Sequence, residues 1–291
     1  MILVFGGTTE GRMAVRILEE GKGRYVYSTR SSLQEVDCVR GEHICGVMDE
    51  SMMIDFCRNN SVKLVVDAAH PFAQHLHATI SRVATLLSLP VIRLERRYAE
   101  IDSSEIIWCD DYEDAMSKMT ACGIHLLLAL TGVQTISKLQ KFWEKNDAWF
   151  RILNREESIE KALESGFPES RLVFYEESDT AALIDEIHPD AILTKESGNS
   201  GGFKEKIEAA MSGGVKVFVV RRPELPANFI VVEGKHGLRR EIERLLPEFF
   251  PLHTGFTTGA CAVAAAKAAL IALLTGNKLT EVSFRIPEGE V

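Results

Sequence analysis

Short apolar runs alternate with amphipathic stretches from the second residue of this chain onward, and that rhythm limits its fold more than any other feature. Residues 2–5 (ILVF) read as a strand and 10–21 as a helix. Strand patterns follow at 24–29, 63–69 and 90–95, with a short element around 36–46 and helices at 50–60 and 72–87. After an irregular polar segment near 99–112 the rhythm restarts. Strands are expected at 123–130, 149–153, 171–175, 190–195 and 215–222, and helices at 132–142, 155–165, 179–187, 203–212 and 237–250. Such β–α–β alternation predicts parallel sheets covered by helices on both faces. The expected class is α/β: two Rossmann-like parallel-sheet domains, 1–98 and 99–250, with a cleft between them. Ligands of such sheets sit beyond the carboxyl ends of the strands.

Residues 251–291 differ. An alanine-rich helical stretch is followed by one strand pattern, "TEVSFRIPEGEV". One helix and one strand cannot bury a core, so this segment is expected to be the truncated start of a further domain.

Charge and cysteine content narrow the partners. The formal net charge of -9 argues against a nucleic-acid binder, which needs a basic face to displace counterions. A cleft can still be locally basic on an acidic protein. The six cysteines form no C-x-x-C pair, so neither a zinc site nor a redox motif is expected, and reduced thiols fit a cytoplasmic protein. No basic stretch precedes the first apolar run, and the longest such run, 260–274, carries Lys267. Neither a signal peptide nor a membrane span is expected.

The first strand runs into "GGTTEGR" and then a helix. A glycine turn at a helix N-terminus gathers free amides and the positive end of the helix dipole, which suits a diphosphate. Gly6 is expected to permit the turn, Gly7 the close approach of backbone to ligand, and Gly11 the packing of helix on strand. Thr8 replaces the second glycine of the usual G-x-G-x-x-G spacing, and the hydroxyls of Thr8 and Thr9, with Arg12, are candidate phosphate contacts. The second strand ends "YSTRSS". It lacks the acid that grips an NAD ribose there, and Thr29, Arg30, Ser31 and Ser32 suit a 2′-phosphate. The expected cofactor is NADPH; NADH use and a plain solvated Arg30 stay open.

The third strong segment, "VVDAAHPF", places Asp67 and His70 at a strand's carboxyl end, with Pro71 in the first turn of the next helix. His70 and Asp67 are the candidate catalytic pair. His75 and His77 diverge on a helix, so no metal site is expected. A second strand–glycine–helix turn, "TKESGNSGGF", carries Lys195, Ser197, Gly198, Ser200, Gly201 and Gly202. Arg93, Arg96 and Arg97, and Arg221 and Arg222, lie near other strand ends. Of these, Arg93, Lys195, Ser197, Gly201 and Arg221 are the candidate contacts to an anionic substrate.

Read in order, "ILVFGGTTEGR", "YSTRSS", "VVDAAHPFA", "IRLERR", "TKESGNSGG" and "VFVVRRP" resemble the precorrin-6A reductase family of cobalamin biosynthesis over about residues 1–250. The resemblance implies hydride transfer from NAD(P)H to a ring double bond of (cobalt-)precorrin-6A, giving (cobalt-)precorrin-6B. It also implies a tetrapyrrole substrate rimmed with carboxylates. The family often has Thr or Ser where this chain has Ala69, so no hydroxyl acts there. "GFTTGACAVAAAKAA" resembles the start of a second family, the cobalt-precorrin-5B carbon-1 methyltransferases. This implies a fusion of adjacent steps in the cobalt-early branch, with S-adenosylmethionine serving only the missing methyltransferase part, and other corrin-pathway enzymes as partners. Two alternatives carry different expectations. A short-chain dehydrogenase needs Tyr-x-x-x-Lys, and the five tyrosines are followed at that spacing by Thr29, Ser31, Asp102, Met116 and Asp179. A non-catalytic sensor of NADPH or tetrapyrrole would bind without turnover.

Overall fold

The structure is a computed structural model that describes residues 1–32, 34, 36–98, 103–175, 177, 179–251, 258–276, 282, 285–286 and 289–290. It divides into two units, Met1–Phe249 and Phe250–Val291. The first holds two six-stranded sheets, parallel throughout.

The first sheet begins with β1 (Ile2–Phe5), α1 (Thr9–Leu18), β2 (Tyr25–Thr29), β3 (Glu42–Cys45), α2 (Glu50–Asn59), β4 (Leu64–Asp67), α3 (Gln74–Leu87) and β5 (Val91–Glu95). The chain then crosses to the second sheet with β6 (Ile106–Cys109), α4 (Tyr112–Ala121), β7 (Leu126–Ala129), α5 (Gln140–Trp143), β8 (Asp147–Ile152), α6 (Glu156–Glu164), β9 (Leu172–Phe174), α7 (Thr180–Ile187), β10 (Ala191–Lys195), α8 (Phe203–Ser212) and β11 (Lys216–Val220). It returns with β12 (Phe229–Glu233) and α9 (Gly234–Leu245). The orders are β12-β5-β4-β1-β2-β3 and β6-β11-β10-β7-β8-β9. Each sheet builds five strands in the doubly wound order; the first takes its sixth, β12, from beyond the second sheet, and the second adds β6, the first strand after the crossover.

Sequence chemistry accounts for most of this. All residues of β1, β2, β4 and β5 are buried, as expected for central strands covered on both faces. Asp49, Asp111 and Asp179 cap α2, α4 and α7 by accepting from the amide three residues on. In the second core Phe150 and Phe167 meet edge to face at 4.9 Å.

Three expectations are corrected. Within the segment expected to be irregular near 99–112, residues 106–109 form β6 and Tyr112 begins α4, while 99–102 lie outside the described residues. β6 is only four residues long, too short for its alternation to register. The helix expected over 132–142 is two 3-10 turns, Val133–Thr135 and Ser137–Leu139, before α5. Residues 229–249, placed by the sequence in the second domain, join the first sheet: β12 pairs with β5 from Phe229–Val91 to Glu233–Glu95. There the Lys22 amide donates to the Phe249 carbonyl at 2.8 Å, and the Phe249 ring fills the space where a Cβ at Gly21 or Gly23 would sit.

The second unit contains α10 (Thr258–Thr275) and the antiparallel pair β13 (Arg285–Ile286) and β14 (Gly289–Glu290). The expected alanine-rich helix is therefore present, while much of the expected strand over 280–291 lies outside the described residues. No helix among the described residues is long and apolar enough to cross a membrane.

Candidate active site at the carboxyl edges of the two sheets

The glycine turn follows β1 at the point where strand order reverses. Gly7 has φ +89°, and a Cβ there would meet nothing within 4 Å, so the turn is open to a ligand. Gly7, Thr9 and Arg12 are exposed. Gly6 and Gly11 serve a different purpose. A Cβ at Gly6 would lie 2.2 Å from the Tyr27 ring, and one at Gly11 2.5 Å from its hydroxyl. Tyr27 from β2 is fully buried beneath the turn and accepts the Gly7 amide at 2.9 Å. Thr8 is not a free phosphate contact. Its hydroxyl caps α1 by accepting from Gly11 N at 3.0 Å and donates to the Ala68 carbonyl at 2.7 Å, joining the loops after β1 and β4.

At the end of β2, Arg30, Ser31 and Ser32 are exposed, as a 2′-phosphate contact requires. Thr29 is buried instead. Its hydroxyl donates to the Ser31 carbonyl at 2.8 Å and lies 2.7 Å from His43 Nε2, so it shapes the loop rather than facing outward.

Asp67 is fully buried at the end of β4. One carboxylate oxygen takes Arg93 Nη1 at 3.0 Å and the Ala69 amide at 3.1 Å; the other lies 2.6 Å from His77 Nδ1. His77 Nε2 faces the His70 carbonyl at 3.1 Å. Both ring nitrogens therefore meet oxygens of the protein. Burial alone would raise the Asp67 carboxyl, but the His77 hydrogen bond, the Arg93 charge, the His77 charge and the Ala69 amide hold it below the usual carboxylate range. Asp67 thus positions the 68–73 loop. Arg93, expected at the substrate, is also enclosed: it binds Asp67, the Ala69 carbonyl at 2.9 Å and Glu95. Sequence reasoning weighed His77 only as a metal ligand and did not pair it with Asp67. The signal was an acid ending an apolar strand, which demands a buried partner.

His70 stands half-buried on that loop. Its Nδ1 accepts from Phe72 N at 3.2 Å. Burial and the charges of Arg96, Lys195, Arg93 and His77 push the ring down to about 3, so it is neutral near pH 7.

The second glycine turn docks on the first lobe. Arg96, just past β5, donates to Glu10 in the first turn of α1 at 3.0 Å and to the Ser197 carbonyl at 2.8 Å. Ser200 also donates to Glu10. A Cβ at Gly198 would press on Arg96, and one at Gly201 on Ser197. Ser197 and Gly201, expected at the substrate, are therefore joint residues. Burial would raise Glu10, but Ser200 and Arg96 hold its carboxyl low. Lys195 ends β10 half-buried, its Nζ 5.4 Å from the Phe72 ring centroid. Burial and Lys138 lower it to about 8. Lys206 is buried in α8 and donates to the Gly201 carbonyl at 2.8 Å. Arg221 is exposed, stacked 4.8 Å from the Trp108 ring and 3.6 Å from Asp110. Among the described residues no cluster of His, Cys, Asp and Glu could hold a metal. A cavity of about 450 Å³ near Ile124, Asp190 and Lys216 lies at the amino ends of β7, β10 and β11, away from these loops.

Comparison with known proteins adds the chemistry. A cobalt-precorrin-6A reductase from Methanothermobacter thermautotrophicus is 27% identical over 235 residues, covering 77% of each chain. One from Priestia megaterium is 29% identical over 238 residues, covering 77% of this chain and 91% of its own. The solved structure of a CobK precorrin-6A reductase has a TM-score of 0.68 at 18% identity, over 84% of this chain and 97% of that one, a likeness of fold. Residues 247–291 match the CbiD family. Residues 1–239 match the precorrin-6x reductase CbiJ/CobK family, and to that family of oxidoreductases this chain belongs.

Proposed function

We propose that the chain reduces a ring double bond of (cobalt-)precorrin-6A, giving (cobalt-)precorrin-6B, with NADPH as reductant. The observation that carries this reading is the pairing of two loop sets. The open Gly7 turn ends β1 of one sheet, and Lys195 ends β10 of the other, meeting Phe72 from the loop after β4. A diphosphate fits the first: Gly7 leaves its approach clear, and Thr9 and Arg12 flank it. Arg30, Ser31 and Ser32 are the contacts for a 2′-phosphate. When bound, the nicotinamide supplies the hydride. The chain's own residues hold and orient: Asp67 and His77 fix the loop that carries His70, and Lys195 and Arg221 offer cations to the carboxylates of the macrocycle. Neutral His70 has its Nδ1 committed to Phe72 N, so its role is orientation through Nε2.

The match of residues 247–291 supports a second element of the proposal. The polypeptide continues into a cobalt-precorrin-5B methyltransferase that uses S-adenosylmethionine, so that the two activities handle consecutive intermediates in the cytoplasm. The test of the reductase is direct. Purified protein is mixed anaerobically with cobalt-precorrin-6A and NADPH, and reduced-nicotinamide absorbance is followed. Loss of absorbance in proportion to the tetrapyrrole is expected; an unchanged trace refutes the reading. A single-turnover experiment separates reductase from sensor, because a sensor binds both ligands and consumes neither.

A further inference from the structure

Reducing a carbon–carbon double bond needs a proton as well as a hydride, and most titratable groups near the two loop sets are unsuited to supply it. Asp67 is ionised and enclosed by Arg93, His77 and the Ala69 amide. Both nitrogens of His77 face fixed oxygens. His70 is neutral near pH 7. Glu10 is ionised against Arg96 and Ser200. Arginines do not release protons in this range. Lysine is a further proton-bearing type, and Lys195 occupies the right place. It ends β10, next to β7 where the strand order of the second sheet reverses, and its Nζ reaches Phe72 from the loop of His70. Among the described residues no carboxylate forms an ion pair with it.

From this placement we propose that Lys195 is the proton donor of the reduction, an inference that rests on the reductase reading above. One carbon of the ring double bond receives hydride, with its two electrons, from the dihydronicotinamide. The π pair of that double bond takes a proton from Lys195 Nζ at the neighbouring carbon. The N–H bond breaks, the lysine is left as a neutral amine, and water returns its proton. The electrostatic setting supports the role. Burial, and then the charge of Lys138 from the turn before α5, lower Lys195 to about 8. Lys206 of α8 and His70 feel its charge in turn. A donor works best with a pKa near the operating pH.

The first measurement needs no turnover. Trace acetylation of the free protein across pH, read by mass spectrometry, reports the ionisation of Lys195; a midpoint near 8 is expected, and a midpoint at the ordinary lysine value of 10.5 overturns the proposal. The second is steady-state kinetics of Lys195→Arg, which keeps the charge and removes the transferable proton. The expected result is a fall in kcat of about 10²–10⁴-fold, KM within about threefold of wild type, and loss of the alkaline limb of the kcat profile. A raised KM with kcat and the alkaline limb intact makes Lys195 a carboxylate anchor only and overturns the assignment. If Lys195→Arg fails to fold, Lys138→Glu decides. Reversing that exposed charge should move both the acetylation midpoint and the alkaline limb upward, and a limb that stays put overturns the donor role. Wild-type protein that never consumes NADPH sinks the reductase reading itself, a result distinct from any of these.

Discussion

Replacing Asp67 with Asn tests whether the ionic knot beneath the His70 loop organises the site. Asp67 is fully buried, and the Arg93 side chain is 1% exposed. In the wild type the Arg93 guanidinium and the His77 ring face two carboxylates, Asp67 and Glu95. The substitution removes one negative charge and leaves Arg93 with Glu95 at 3.4 Å as its partner. Breaking a buried pair from one side costs about 3–5 kcal/mol, because the surviving charge stays out of water. At roughly 2–4 °C per kcal/mol for a unit of this size, Tm should fall by about 6–20 °C. The pH dependence has a definite sign. The folded-state pKa of Asp67 is lowered, so its stabilisation is fully present above the unfolded carboxyl value of about 3.9 and is lost as pH falls through the folded value. The gap between wild type and Asp67→Asn should therefore be flat from about pH 5 to 8 and narrow below about pH 4. Urea unfolding at stepped pH measures it. Lys63→Ala is the control, since Lys63 and Glu248 are exposed at 3.7 Å and such pairs contribute about 0–1 kcal/mol. A gap below about 1 kcal/mol, the size of that control, or one unchanged down to about pH 3, would refute the reasoning.

Gly6→Ala should destabilise by about 1–3 kcal/mol through overpacking against Tyr27. Adding Tyr27→Val should recover part of that loss in denaturant melts, and strictly additive effects would show that the ring is not what Gly6 accommodates. Arg30→Ala should raise KM for NADPH about 10–100-fold, the worth of a charged hydrogen bond, and leave NADH little affected; equal losses for both coenzymes would remove the 2′-phosphate argument. Residues 1–98 expressed alone should be insoluble or unfolded while 1–249 unfolds cooperatively, because the shorter piece bares the β5 edge that β12 covers over five residues. A folded, monomeric 1–98 by gel filtration and circular dichroism would overturn that.

What was legible in the sequence was local. The apolar runs of β1, β4 and β10 and the glycine turns between strand and helix announce parallel sheets and their ligand edges without reference to anything distant. Pairings across long stretches of chain were not legible. Nothing within "FIVVE" says that it lies beside residues 91–95 rather than beside β11, which directly precedes it. The turn glycines were recognised, but two of them answer to Tyr27, whose place under the turn follows from sheet register and not from spacing. Likewise Thr8 and Thr29 are hydroxyls at the expected places with their hydrogen bonds already spent on the fold. Arg93 looked like a rim charge because it ends a strand, yet Asp67 across the β4–β5 pairing draws it inward.

Arg96 explains how an enzyme built from two sheets can keep its reacting groups in register. It leaves β5 where the chain crosses to the second lobe, and its guanidinium holds Glu10 of α1 on one side and the Ser197 carbonyl on the other. One buried cation thus connects the helix that begins at the glycine turn, the crossover segment, and the loop that follows Lys195. An apolar contact of the same size would be no less stable, since burying charge is costly even when it is paired. It would also tolerate sliding, because apolar contacts have no fixed direction. Directed hydrogen bonds do fix direction, and a reduction that needs hydride and proton placed to within a fraction of an ångström rewards that rigidity. Gly198 and Gly201 fit the same logic: the first lets the loop backbone close on Arg96, and the second leaves room for the Ser197 side chain. The glycine signature of the second turn therefore marks the joint by which the loop after Lys195 docks on the first lobe.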